Sequence, residues 1–320
     1  MSGHTVKLTA RLHDAAQADH EVTLESGMAM PSSKQMLWID VSRNAADLEL
    51  IDQVLGLDGM VSRLIEPATR PQVLTSKDSV RLRVIGMTGG DSPGPVSVDI
   101  VATHNAVVSI HDTELEELTL PVDMTPDETN LGAMDEAAFV AVLLDGVLSG
   151  YFRAVDDVEE RIDEYDQRAL RARRDDMLVA ELVALRGKVA VIRRALNPQR
   201  EVFYALERPG LVLGNADPAA LALVADRFRQ AVEAVENARE LLVGCFDILI
   251  SRSGERTNDV MRTLTVISSI LLPAVVIAGI MGMNFKVPIF DDPTNFYLVL
   301  TATAAVAVVI LVLAKWRHWI

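Results

Sequence analysis

Basic residues are scarce in this chain. Thirty Lys and Arg stand against 45 Asp and Glu in 320 residues, for a formal net charge of −15. Nucleic-acid backbones are held mainly by Lys and Arg, so this balance argues against a nucleic-acid partner. It fits a protein that handles cations, and equally an ordinary acidic protein. The single cysteine, Cys245, excludes an internal disulfide and a cysteine-based zinc site. No glycine-rich phosphate loop, nucleophile elbow or nucleophile–base pair is present, and no enzyme is expected. The opening residues Met1-Ser2-Gly3-His4-Thr5-Val6-Lys7 lack the apolar core of a leader. No cleaved signal peptide is therefore expected, and the N-terminus is expected to stay in the cytoplasm.

A second absence is local. Between Thr263 and Phe285 there is no charged side chain, and these 23 residues suffice for a bilayer core of roughly 30 Å. The chain as a whole is 50% hydrophobic and 23% charged with a mean hydropathy of +0.23, so apolar and charged residues are segregated. A second charge-free run covers 296–314, with Phe296 and Tyr297 at one end and Trp316 and Trp319 at the other, the pattern of interfacial aromatics. Arg252, Arg256 and Arg262 precede the first run and Lys315 and Arg317 follow the second, whereas the connecting loop holds Lys286 beside Asp291 and Asp292. The expected orientation has both termini in the cytoplasm and the loop outside. The loop acids either raise the local cation concentration or are simply solvated.

The first apolar run is not uniformly greasy. Asn258, Thr265, Ser268 and Ser269 sit among its apolar residues, and Gly282-Met283-Asn284 closes it. Polar atoms in hydrocarbon need partners or water, so one face is expected towards lipid and another towards a pore or a neighbouring helix. Asn258, Met261, Leu264 or Thr265, Ser268, Leu272, Val275 and Gly279 recur in steps of three and four and share one helix face. By periodicity alone that stripe is either a pore lining or a packing seam.

Proline is missing from 219–272, which allows one uninterrupted helix from Asp217-Pro218, an N-cap followed by a first-turn proline, as far as Met281. Its 64 residues would span about 95 Å. Leu221, Ala225, Phe228, Val232, Val235, Leu242, Phe246 and Leu249 form a near-heptad seam, interrupted at Arg239, and oligomerisation is the expected way to bury it. Upstream, 1–132 reads as a mixed α/β domain with strands at 5–12, 21–24, 36–41, 80–85, 96–102 and 106–110 and helices at 45–55 and 61–66. From about Glu136 the period becomes helical: an apolar piece at 139–148, an acidic helix at 156–166, and a helix at 176–206 kinked at Pro198. Arg193, Arg194 and Arg200 are expected to face the acidic run. That run is a solvated helix face or a weak divalent-cation sensor, since clustered carboxylates suit hard ions. His104 and His111 are expected at the surface or satisfied internally.

Gly282-Met283-Asn284 at the end of the first of two C-terminal spans resembles the CorA family of divalent-cation channels and transporters. Asn258-Asp259-Val260-Met261, Leu264-Thr265, Leu272-Pro273 and Ala278-Gly279-Ile280 resemble that family's pore helix, and the resemblance extends to the acidic helix, to Asn197-Pro198-Gln199-Arg200-Glu201-Val202 and to the basic tail. It covers about 130–320. The resemblance implies an α+β cytoplasmic domain, a long helical stalk and a two-helix C-terminal transmembrane hairpin, assembled as a homopentameric channel. The expected partition is 1–132, 133–257 and 258–320, with spans at 263–285 and 296–314.

By resemblance, Gly282, Met283 and Asn284 form the selective mouth, and the stripe from Asn258 to Gly279 lines the pore in the inner membrane. The implied cargo is Mg²⁺, with Co²⁺ or Ni²⁺, and the same ion bound between cytoplasmic subunits would hold the pore shut. That sensor pairs an acid of the α/β domain with one of the stalk. Asp226 is the nearest stalk candidate, although Leu223, one turn earlier, is the alternative register counterpart and cannot ligate an ion. Relatives of the ZntB type, which move Zn²⁺ and depart from this tripeptide, are the nearest alternative; a non-conducting membrane-anchored sensor or scaffold is a further one.

Overall fold

The computed structural model describes residues 8–14, 19–25, 28, 30–32, 34–67, 70–76, 78–88, 94–113, 115, 118, 135–171, 177–208, 218–283 and 293–317. The chain forms two compact units, 1–245 and 246–320, the division falling inside the longest helix.

The first unit is built on a seven-stranded sheet of order β2-β1-β3-β7-β6-β5-β4. Its strands are β1 (Thr9–Asp14), β2 (His20–Glu21), β3 (Gln35–Val41), β4 (Gln72–Thr75), β5 (Ser79–Met87), β6 (Pro95–Thr103) and β7 (Ala106–His111). Only β3 and β7 pair in parallel; the rest of the ladder is antiparallel. β3 is central and buried on both faces. Leu37, Ile39 and Val41 enter one core with Leu48, Ile51 and Leu55 of helix α1 (Ala45–Leu55), while on the other face Trp38 meets Phe139 at 6.0 Å. α1 matches its expected bounds because its ends are written locally. Asn44 caps the start by accepting from Ala46 N, and Gly56, at φ 65°, supplies the left-handed stop.

The far side of the sheet carries α2 (Glu136–Arg171), α3 (Leu178–Leu196) and α4 (Arg200–Leu206), with a 3₁₀ turn at Asn197–Gln199 between the last two. The expected kink at Pro198 is thus a turn of tighter helix. The apolar and acidic helices expected at 139–148 and 156–166 are one helix, because Tyr151, Ala154 and Val155 are buried and carry the packed face through the junction. The helix expected at 61–66 is a single 3₁₀ turn, Ser62–Leu64. β4 escaped the sequence reading: it is a four-residue, mostly exposed edge strand with little apolar pattern.

α5 (Pro218–Met281) is one 64-residue helix. In the first unit its seam at Leu221, Val224, Phe228, Ala231, Val235, Ala238, Leu242 and Cys245 is buried within the chain itself. Phe228 stacks on Phe203 of α4 at 4.4 Å, and Arg227 Nε reaches Asp145 of α2 at 2.8 Å. Of the expected seam, Leu221, Ala225, Phe228, Val235 and Leu242 are thus covered by the chain itself, while Val232, Phe246 and Leu249 are half-buried. Arg239 did not break it, because Ala238 takes the inward position. The expected contact of Arg193 is corrected too: it pairs with Glu236 of α5 at 2.7 Å rather than with the acidic run. The second unit contains the remainder of α5 and α6 (Pro293–Trp316).

Candidate functional site

Among the described residues three helices are long and apolar enough to cross a membrane: α2, α5 and α6. Burial separates them. The most apolar stretch of α2 is 67% buried against its own fold, whereas those of α5 and α6 are 6% buried. The grease of α2 is core; that of the other two has no protein cover in the chain.

On α5 the two sides differ. Val266, Ile270, Pro273, Ile277 and Met281 are buried or half-buried and fall on one side. Asn258, Met261, Leu264, Thr265, Ser268, Leu272, Val275 and Gly279 fall on the opposite side and are exposed, Leu272 at 67% and Val275 at 64%. Val266 and Ala314 of α6 are the buried residues of this unit among those described. A shallow groove of about 560 Å³ runs along the exposed side, touching Leu264, Thr265, Ser268, Leu272 and Val275. Asn258 and Met261 continue the same side towards the helix start and Gly279 towards its end.

Two threonine hydroxyls of this helix donate to its own backbone. Thr265 Oγ1 donates to Met261 O at 2.7 Å and Thr263 Oγ1 to Asp259 O at 3.0 Å. The hydroxyl oxygen of Thr265 is left facing outward as an acceptor, which suits a cation or its hydration shell. α5 ends at Met281, with Gly282 N donating to Ala278 O at 2.9 Å and Met283 N to Ile280 O at 3.2 Å. A Cβ on Gly282 would stand 3.3 Å from the Ala278 carbonyl oxygen, so the helix exit has little room for a side chain there. Asn284, Asp291 and Asp292 lie outside the described residues.

The stalk candidate Asp226 is exposed and already engaged. Its Oδ1 accepts from Arg229 Nη2 at 3.1 Å and Nε at 3.3 Å, while Arg229 Nη1 donates to Glu207 at 3.1 Å. Those two carboxylates raise the Arg229 guanidinium above its ordinary value. Leu223 is 70% exposed. Among the described residues no three His, Cys, Asp or Glu converge as a metal-binding group. The acidic run presents Asp156, Asp157, Glu160, Asp163 and Glu164 to solvent while Val158, Ile162 and Tyr165 point inward. Cys245 is buried, and burial together with the Asp166 carboxylate pushes its thiol up to about 12, well away from a reactive thiolate.

Two polar clusters in the sheet were not legible from sequence, because each joins residues far apart in the chain. Asp99, fully buried, receives Arg83 Nε at 2.8 Å and Arg43 Nη1 at 2.9 Å, with Arg81 Nε at 3.5 Å. Burial lowers Arg81 despite that carboxylate. On the other face, His111 Nδ1 donates to Thr113 O at 2.7 Å and Nε2 meets Asp40 Oδ1 at 2.9 Å; Asp40 also accepts from Ser109. Burial alone would lower His111, but the bond and charge of Asp40 outweigh it and the net shift is upward. His104, by contrast, is exposed in the turn after β6, near Glu136.

A mixed sheet domain on the same chain as two long apolar helices without protein cover defines a membrane protein. The profile of the CorA-like Mg²⁺ transporter protein family matches residues 33–316, and the chain belongs to that family. It is 30% identical over 181 residues to the cobalt/magnesium transport protein CorA of Thermotoga maritima, covering 56% of this chain and 51% of that one. The matched region is therefore about half the length of that relative. It is 22% identical over 245 residues to the zinc transport protein ZntB of Pectobacterium carotovorum, covering 75% of this chain and 74% of that one. The solved CorA magnesium transporter of Methanocaldococcus jannaschii superposes with a TM-score of 0.78 at 19% identity, covering 98% of this chain and 100% of that one, and so shares its fold.

Proposed function

We propose that this chain forms a homopentameric channel of the inner membrane that admits hydrated Mg²⁺, and also Co²⁺ or Ni²⁺, into the cytoplasm down the electrochemical gradient. The observation that carries the reading is the uncharged, exposed side of α5 from Asn258 to Gly279, leading into Gly282-Met283-Asn284. Five copies of that side facing one axis would line a conduit, with α6 paired to the opposite side of α5 as a hairpin and both termini cytoplasmic. Mg²⁺ sheds water reluctantly, so neutral oxygens that accept a hydrated ion suit it better than carboxylates that would strip and hold it. A ring of Asn284 amides with Gly282 carbonyls supplies them at the mouth. Asp291 and Asp292 in the outer loop would concentrate cations there. Rings of Met261, Leu264 and Leu272 would close by dewetting. Two charges moving inward through 100 mV gain about 4.6 kcal/mol, so no nucleotide is required. Cytoplasmic divalent ions would favour the closed state, with Asp226 as a stalk ligand.

A second reading, Zn²⁺ transport coupled to protons, is supported by the similarity to proteins named for zinc transport. Flux into liposomes separates the two. Mg²⁺ entry driven by an interior-negative potential, and lost in Asn284→Ala, supports the first. Zn²⁺ movement that follows a pH gradient, with no Mg²⁺ entry, supports the second. No flux of either ion leaves a non-conducting anchor.

A further inference from the structure

The first unit contains a cavity of its own. It holds about 650 Å³ beside the ends of β5, β6 and β7 and against α3, a volume typical of small-molecule sites. Four prolines, Pro67, Pro71, Pro95 and Pro198, form rigid apolar walls around Ile85 and Val96. The walls are held from behind. Gln199 bonds both backbone groups of Ile85 at 3.0 Å. Arg43, 2% exposed, donates to Ser97 O at 3.3 Å and to Asp112 Oδ2 at 3.3 Å, tying together two residues that line the cavity. A cavity so braced does not need to be built by its ligand.

Two charged side chains, Asp112 and Arg194, line it among the described residues. Arg194 stands at the cavity, exposed, with no ion pair among the described residues, while Arg43, Arg81 and Arg83 are gathered on Asp99. Among the described lining residues Asp112 is the carboxylate, and it accepts from Arg43. Asp99 is fully buried among the guanidiniums and Asp112 already takes Arg43, so the uncommitted charge is that of Arg194.

We propose that this cavity binds a small organic anion with a flat apolar body, its anionic group on Arg194 and its body between the proline walls. Planar guanidinium suits carboxylate and phosphate alike. Such a ligand would bridge the sheet edge to α3, which is joined to α5 through Arg193 and Glu236.

The proposal does not rest on ion transport, and its test reads binding instead of flux. Equilibrium dialysis of the full chain in detergent, corrected with empty micelles, would use three probes: 2-naphthoate, 2-naphthalenemethanol and inorganic phosphate. Naphthoate should bind saturably at one per chain, with the neutral alcohol and the bare anion at least tenfold weaker. Arg194→Gln should weaken naphthoate at least tenfold, Val96→Trp should fill the cavity and remove binding, and Arg193→Gln should leave it unchanged. Should Val96→Trp fail to fold, the exposed Arg194 variant still decides. Absence of saturable naphthoate binding, equal binding of the alcohol, or binding indifferent to Arg194→Gln overturns the proposal.

Discussion

The carboxamide of Gln199 does for Ile85 what a neighbouring strand would do. β4 stops pairing with β5 at Gln72 and Arg83, and two residues further along Gln199 takes over, accepting from Ile85 N and donating to Ile85 O, each at 3.0 Å. Tyr151 Oη adds a second donor to the same carbonyl at 2.7 Å and accepts from Gln199 Nε2 at 2.9 Å. One side chain, 114 positions from its partner, thus joins α2, the 3₁₀ turn and the sheet edge.

Gln199→Met keeps the volume and removes the amide, leaving the buried N–H of Ile85 without its partner. Each orphaned buried group costs about 1–3 kcal/mol, so a loss of about 2–4 kcal/mol is expected for the donor and acceptor functions together. Thermal unfolding of the full chain should show a clearly lowered midpoint, and a change within experimental scatter would deny the amide this role.

Loss of the His111 proton should make the first unit less stable as pH rises. Both ring nitrogens face acceptors, Thr113 O and Asp40 Oδ1, so the imidazolium is the form the fold holds, with Asp112 adding charge from the corner beyond β7. The folded value lies above the ordinary histidine value of about 6.5, so the contribution is complete below that pH and is lost on rising through the folded value. Urea midpoints measured from pH 5.5 upward should fall in this window. His111→Asn should flatten the slope and cost about 3 kcal/mol at the acid end, because Asp40 is left buried without its cation.

The clearest sequence signals were those written within a few residues. Asn44 and Gly56 delimit α1, and Pro218 opens the long helix, because caps and first-turn residues act locally; Pro273 lies inside that helix, which continues to Met281. The exposed stripe of α5 was legible for the same reason, as a three-and-four spacing. What could not be read was who covers what. The seam from Leu221 to Cys245 has the same period whether its partner is another subunit or α2 and α4 of its own chain, and Phe203 against Phe228 decides for the latter. Arg193 could have faced any acid in reach; only the packing selects Glu236. The cluster of Arg43 and Asp99 joins residues 56 apart and leaves no spacing to recognise.

If the exposed side of α5 lines a conduit, its apolar rings are the barrier and wetting them should open it. Leu272→Ser places a hydroxyl at the level of Ser268 and Ser269 and lowers the cost of holding water there. Mg²⁺ entry into liposomes should rise several-fold at divalent concentrations that close the wild type. Ile277→Ser, on the half-buried side, should lower thermal stability without raising flux. Equal effects of the two on flux would mean that the exposed side is not the lining.

Asp226 can hold a regulatory ion only by giving up Arg229. The guanidinium bonds Asp226 and Glu207 together, so it occupies the place a divalent cation would take between two carboxylates. If cytoplasmic Mg²⁺ closes the proposed channel through this site, Arg229→Gln removes the competitor and leaves both acids, and the half-closing Mg²⁺ concentration should fall several-fold. Asp226→Asn should raise it. Because all three side chains are well exposed, neither change should move the thermal midpoint appreciably. The pair of shifts in opposite directions is the diagnostic result in flux titrations against internal Mg²⁺. If both variants close at the wild-type concentration, the ion that shuts the pore is held by other residues, and Leu223 one turn earlier, unable to ligate, marks the register the sensor has abandoned.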